Sequence, residues 1–394
     1  MTSFAQAPTP YQAQDLRATT HRSAVSCLAS VALFALLTLT GCGSDDEPAA
    51  GNSPVDYGSP GAFGVGHQTL EVSDGTRTLS VELWYPAAKS AQGPEAAETY
   101  VAEAERAAFV SLLNAAPASC PTKSLPAERD AAPQGNGWPL IVYSHCVSCI
   151  NLSGASLAIR LASHGFAVAA PNHGGPLPFA SEDTQEPLTV DQLAVREADL
   201  QLVMDQLSSG EVLPEALKGH IDTTRIGALG HSFGSVTVGK LTQDDSRIRA
   251  VFGLAAPMEN PILSGVDMTK IKVPTALLIA QEDNSVQEIG NSLMRTNYDK
   301  LTVSGLEVEV YDAGHWSVSD LCGIDGFTPG CGMGTRHSSG RQGESFEYLP
   351  VPEGIAIAQS YTTAFFLAEL TGDSKALDYV RAAHPEGGVG VRFK

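Results

Sequence analysis

The chain has 394 residues, 24 of them Lys or Arg and 44 Asp or Glu, for a formal charge of −20 at pH 7. So acidic a surface repels nucleic acid and anionic lipid head groups, which excludes both as charge-driven partners. At 43% hydrophobic residues the chain is long enough for one large α/β domain, and no internal repeat or second motif set calls for another.

Near the start, Arg17, His21 and Arg22 precede an apolar run from Cys27 to Leu39. That run is too short to cross a bilayer and fits the core of an export signal. It ends in Leu39-Thr40-Gly41-Cys42, which resembles the bacterial lipobox, where a peptidase cuts before the cysteine and the cysteine is acylated. The alternatives are an ordinary secretory signal cut nearby and a buried helix. The expected division is a lipoprotein signal at 1–41, a Gly/Ser/Pro-rich tether at 42–62 and a folded domain at 63–394. Such a protein is exported and held through Cys42 at a membrane of the bacterial cell envelope.

The domain opens with two alternating runs, His67 to Val72 and Thr76 to Pro86, joined through Asp74-Gly75. This is a hairpin signal at a sheet edge. Residues 87–138 are rich in Ala, Glu, Pro and Gly, with a helical patch from Glu103 to Leu113, and are expected to form an insertion over the sheet. Pro139 to Tyr143 and Gly165 to Pro171 are continuous apolar runs of the kind buried in a parallel sheet, each followed by a helix, Ala155 to His164 and Val190 to Leu207. Between the second strand and its helix, residues 175–190 form another insertion, whose Glu182, Asp183 and Glu186 are expected to be a solvated charge run.

A third strand, Arg225 to Leu229, leads into Gly230-His231-Ser232-Phe233-Gly234, and a helix follows. A lone G-x-S-x-G is a common glycine-rich turn. Between a buried strand and a helix it matches a nucleophile elbow, whose small residues two before and two after the serine leave room for a strained backbone. Ser232 then stands at a helix N-terminus, with the Phe233 amide aimed at a developing oxyanion. Further strands are expected at Ile248 to Leu254, Thr275 to Ala280 and Leu306 to Tyr311. The second ends in Gln281-Glu282-Asp283, and the third runs into Asp312-Ala313-Gly314-His315. Ser232, Asp283 and His315 in that chain order form a candidate catalytic triad, with Glu282 as the alternative acid. Helices at Ile355 to Leu370 and Ser374 to Ala383 complete the domain.

These stretches, with Glu82 to Pro86, Val142 to His145, Leu161 to Pro171 and Ala313 to His315, resemble an α/β-hydrolase. More narrowly they are similar to the platelet-activating-factor acetylhydrolase and dienelactone-hydrolase-related esterases, with some similarity to bacterial cutinase-like polyester hydrolases. The resemblance implies a doubly wound, mostly parallel sheet with helices on both faces, and a serine esterase acting through an acyl-enzyme on short-acyl lipids or small esters. The cutinase-like or lipase-like polyester hydrolase is the alternative substrate class. A catalytically inert binding protein on the same fold is the alternative of another kind. Two departures stand out. In the acetylhydrolase group the acid follows the strand after the elbow, but Phe252 to Pro257 holds no carboxylate; the cutinase-like pattern places it one strand later, at Asp283. The usual Ser-His-Gly turn is here Ser144-His145-Cys146, so the loop carrying the second oxyanion donor, the Val147 amide, is built differently.

Cys146 and Cys149 form a C-x-x-C pair, for which a disulfide fits an exported chain better than a redox or zinc site. Cys322 with Cys331 is the expected disulfide beside His315, and Cys120 is expected to join Cys146 or Cys149. His145 and His231 belong to their motifs as structural neighbours, while His173 is a candidate pocket residue. The expected chemistry requires no metal and no organic cofactor.

Overall fold

In the computed structural model, residues 56–89, 93–174, 186–324, 330–384 and 388–394 are described. The signal, Cys42 and most of the tether lie outside them, as do Glu182 and Asp183. Two alternating segments form the expected hairpin, β1 (Gly64–Ser73) and β2 (Thr78–Ala87). The insertion contributes α1 (Glu103–Ala115) and a short strand, β3 (Glu128–Arg129), which pairs with β1. The apolar runs become β4 (Trp138–Ser144), β5 (Ala167–Pro171), β6 (Ile221–His231), β7 (Ile248–Leu254), β8 (Thr275–Ala280) and β9 (Gly305–Val310). Every residue of β4, β5 and β8 is buried, as continuous hydrophobicity requires of strands covered on both faces. The C-terminal strand β10 (Val389–Phe393) pairs antiparallel with β9.

The sheet order is β10-β9-β8-β7-β6-β4-β5-β2-β1-β3. Strands β4 to β9 run parallel. One face is covered by α2 (Ala155–Ser163), α6 (Val351–Phe366) and α7 (Ser374–Arg381), whose buried residues join one core cluster with α1. The opposite face is covered by α3 (Val190–Ser209), α4 (Phe233–Asp244) and α5 (Gln287–Lys300). From β4 the chain moves to β5 on one side and then returns to β6 on the other. This reversal opens a crevice at the carboxyl ends of β4 and β6, where ligand sites of open α/β sheets form.

Two expectations change. The end of the tether is packed: Tyr57 is buried edge-on against Tyr379, and the Gly61 amide donates to Ser163 Oγ at 3.0 Å. The disulfides are Cys120–Cys331 and Cys146–Cys149, and Cys322 is a buried free thiol. Cys322 turns into the core, while the insertion brings Cys120 alongside Gly323, where an added Cβ would stand 2.7 Å from Cys120 Cβ and 3.1 Å from Cys331 Sγ. The segment after His315 is therefore stitched to the insertion, not to itself. Thr122 reinforces the seam, donating its amide to the Asp320 carbonyl at 3.0 Å and its hydroxyl to the Asp320 carboxylate at 2.5 Å.

Because Cys120–Cys331 closes a separation of 211 residues, Cys120→Ser/Cys331→Ser is expected to lower unfolding free energy by about 2–4 kcal/mol. A denaturant titration checks this; an unchanged midpoint would contradict it.

Candidate active site

Ser232 sits at the corner between β6 and α4 with φ 58° and ψ −120°. A non-glycine residue adopts this left-handed region at a cost of about 1–3 kcal/mol and keeps it only where its surroundings dictate it. The surroundings are two glycines. A Cβ on Gly230 would run into the Gly234 carbonyl, and a Cβ on Gly234 into the Ser144 carbonyl. The corner thus presents Ser232 Oγ at the mouth of the crevice, at 8% exposure.

His315, in the loop after β9, places Nε2 2.8 Å from Ser232 Oγ and Nδ1 2.7 Å from Asp283 Oδ2. With Nδ1–H donating to the carboxylate, Nε2 is left to accept the serine proton. Asp283 is aimed by its own backbone: its other oxygen accepts the amides of Ser285 at 2.8 Å and Val286 at 2.7 Å. Asn284 Oδ1 accepts the His315 amide at 3.2 Å, and Trp316 packs edge-on against the His315 ring. His231 Nε2 donates to the His315 carbonyl at 2.9 Å; burial holds its pKa down at about 3, so it stays neutral beside the site. All three predicted triad residues are brought together.

Glu282, the alternative acid, is turned away. Its carboxylate accepts Arg336 Nη1 at 2.7 Å, the amides of His337 at 2.7 Å and Ser338 at 3.0 Å, and the Ser338 hydroxyl at 2.6 Å. Burial pushes its pKa up, but these donors outweigh burial and leave it below the ordinary value. The acid that reaches His315 is Asp283.

The loop after β4 faces the elbow. The Phe233 amide is the first of α4 and has no intrahelical acceptor. The Val147 amide makes no hydrogen bond to the described residues. Around Val147 the loop is held by Arg196 and Glu186. Arg196 donates to the His145 carbonyl at 2.5 Å and to the Cys146 carbonyl at 3.0 Å, stacks over the Phe233 ring at 4.6 Å, and pairs with Glu186. Glu186 in turn accepts the Ser148 amide at 3.3 Å and gives its own amide to Ser148 Oγ at 2.9 Å. Burial would raise the Glu186 pKa, but the Arg196 hydrogen bond and charge hold it at about 2. Glu186 is therefore a buried ion-pair partner, not part of a solvated charge run. Sequence reasoning missed Arg196 and Asp199, although both fall on the stripe of α3 that buries Leu193, Leu200, Val203 and Leu207.

A second serine, histidine and aspartate lie beneath the loop. Ser144 Oγ is 3.0 Å from His173 Nε2, and His173 Nδ1 is 2.9 Å from Asp199 Oδ2. Arg77 clamps the same carboxylate, and burial keeps His173 well below its ordinary pKa and neutral. Ser144 is 0% exposed at the end of an extended strand, so no substrate carbonyl can reach it. This set ties β4 to α3 and to the chain after β5. His173 is thereby part of the scaffold under the loop, and it also lines a cavity of about 810 Å³ with Arg77, Tyr100, Ile150 and Asn172. Ser232 and His315 do not line that cavity.

Comparison with known proteins finds partial matches to two families. Residues 142–320 match the family model described as PET hydrolase-like, and residues 57–176 match that of platelet-activating factor acetylhydrolase, isoform II. The ferulic acid esterase of Streptomyces cinnamoneus superposes with a TM-score of 0.62 at 22% identity, over 86% of this chain and 99% of that one. The chain has the α/β-hydrolase fold. The chain is 29% identical to bovine (Bos taurus) platelet-activating factor acetylhydrolase over 160 residues, 32% of this chain and 36% of the bovine protein. It is 27% identical to the dog (Canis lupus familiaris) enzyme over 172 residues, 34% of this chain and 38% of that protein. The alignments therefore span little more than a third of the length of these relatives.

The Glu186–Arg196 pair supports the loop after β4, and breaking it by Glu186→Gln should cost about 3–5 kcal/mol at neutral pH. Because the Glu186 pKa is depressed from 4.5 to about 2, this contribution is present above pH 4.5 and fades as pH falls towards 2. Unfolding free energies of wild type and variant should converge over that window; a pH-independent gap would contradict the assignment.

Proposed function

We propose that this protein is a serine carboxylic-ester hydrolase working through an acyl-enzyme. The observation that carries this reading is the unbroken relay from Ser232 Oγ through His315 to Asp283 at a strained strand-to-helix corner. His315 Nε2 takes the Ser232 proton as Oγ attacks the ester carbonyl, and Asp283 holds the imidazole tautomer and stabilises its cation. The tetrahedral oxyanion lies between the amides of Phe233 and Val147, each supplying about 3 kcal/mol by analogy with single-donor deletions. His315 then protonates the leaving alcohol, and water, deprotonated by the same ring, releases the acid.

Short-acyl lipid and small esters are the proposed substrates, by similarity to the acetylhydrolase relatives. A polyester hydrolase is the second reading. It is favoured by the acid following β8 rather than β7 and by the PET hydrolase-like match over the catalytic half. Export and anchoring of the protein at a bacterial envelope membrane through Cys42 is likewise our reading of residues 17–42. It predicts that labelled palmitate is incorporated by the full-length chain and lost on Cys42→Ala; equal incorporation would refute it.

The two Ser-His-Asp sets give a direct test. Ser232→Ala should reduce ester hydrolysis by at least about 10³-fold. Ser144→Ala should stay within about tenfold of wild type while losing about 1–3 kcal/mol of stability, because His173 Nε2 is left unpaired in the interior. The reverse ranking would move the chemistry to Ser144. A folded wild type that turns over neither small esters nor polyester would leave a binding protein.

A further inference from the structure

The loop that carries Val147 is a four-residue turn, Cys146 to Cys149, whose ends are joined by a disulfide. The Cys149 amide donates to the Cys146 carbonyl at 3.3 Å, and the two Cα atoms are 5.2 Å apart. Its third residue, Ser148, has φ 54°. Such a turn normally places glycine third, because a side chain disfavours positive φ. Here a serine occupies that place, and the first position is a cysteine with 0% exposure.

The turn is tied to its surroundings at two points: Arg196 and His145 Nδ1 donate to the Cys146 carbonyl, and Glu186 takes the Ser148 amide. The Val147 amide is enclosed in the disulfide ring with no acceptor among the described residues. The ring lies beside the elbow, because the Ser144 carbonyl, two residues before Cys146, closes against Gly234.

We propose that the Cys146–Cys149 disulfide is a positioning device for catalysis: it holds Ser148 in the left-handed region that glycine would otherwise supply, and so keeps the Val147 amide aimed at the oxyanion. The proposal rests on the acyl-enzyme reading above. Cutting the ring lets Ser148 relax to negative φ, which rotates the neighbouring peptide and withdraws the amide. Substrate binding remote from the carbonyl is untouched, so the loss falls on kcat rather than KM.

The test compares wild type with three variants, using a soluble ester and its thionoester, whose sulfur is a poor acceptor for oxyanion donors. Val147→Pro keeps the disulfide and suits the second position of the turn, but deletes the donor itself. Cys146→Ser/Cys149→Ser removes the ring, and adding Ser148→Gly to it restores a residue that takes positive φ unaided. The expected results are a kcat loss of about 10²–10³-fold for Val147→Pro and for the double variant, with KM little changed and the preference for oxoester over thionoester collapsed in both. Adding Ser148→Gly should recover most of the loss in the double variant, and it stands in for that variant if the latter fails to fold. A fully active Val147→Pro would remove Val147 from the oxyanion site and overturn the reading on which the proposal rests. An impaired Val147→Pro beside a double variant with wild-type kcat and discrimination would overturn the disulfide's role alone. So would a loss that tracks thermal unfolding and is not recovered by glycine, since that marks a staple of the fold only.

Discussion

The backbone of Ser232 is the constraint on which the site depends. A residue at φ 58° and ψ −120° is not stable in isolation. It is held because β6 ends in a buried sheet, α4 starts at once, and Gly230 and Gly234 let three strands of main chain meet where side chains would collide. The same close approach brings the Ser144 carbonyl against Gly234, and with it the loop from His145 to Cys149. Straining the proposed nucleophile and seating the proposed oxyanion donors are therefore one structural event. The triad histidine reaches this point from the far side, across β7 and β8, and its approach is fixed by Asp283, Asn284 and Trp316.

A single buried cation holds the loop to the elbow. Arg196 satisfies two loop carbonyls, lies over the Phe233 ring and is balanced by Glu186. A buried guanidinium would be costly if it were unpaired; Glu186 balances it, and its other contacts fall on Phe233 and on the two residues before Val147, whose amides are the proposed oxyanion donors. The adjacent acids Glu282 and Asp283 show the same economy of placement. Successive residues leave the end of β8 in different directions, so one carboxylate meets His315 and its neighbour anchors the segment from Arg336 to Ser338.

Much of this was legible in the sequence. Uninterrupted apolar runs gave β4, β5 and β8 nearly to the residue, because a strand covered on both faces admits little else. The elbow, Asp283 and His315 were legible because each stands at the end of such a run, in the chain order the fold requires. The illegible parts are those fixed by contacts distant in sequence. Cys331 was expected to pair with nearby Cys322, but the partner comes from an insertion 211 residues away. Glu186 looked like one of three exposed acids until a helix ten residues on brought an arginine to it. Arg196 and Asp199 did carry a signal, since charged residues on the apolar stripe of a helix need buried partners. Strand β10 is too short and too polar at Arg392 for periodicity to find; it exists because the edge of β9 offers it a partner.

The most direct measurement is the structure of the protein after reaction with an alkyl fluorophosphonate, with the modified residue located independently by peptide mass. The account predicts a single adduct on Ser232 Oγ, with the phosphonyl oxygen within hydrogen-bond distance of the Phe233 and Val147 amides and His315 Nε2 facing the alkoxy oxygen. An adduct on Ser144, or a phosphonyl oxygen turned away from both amides, would contradict it.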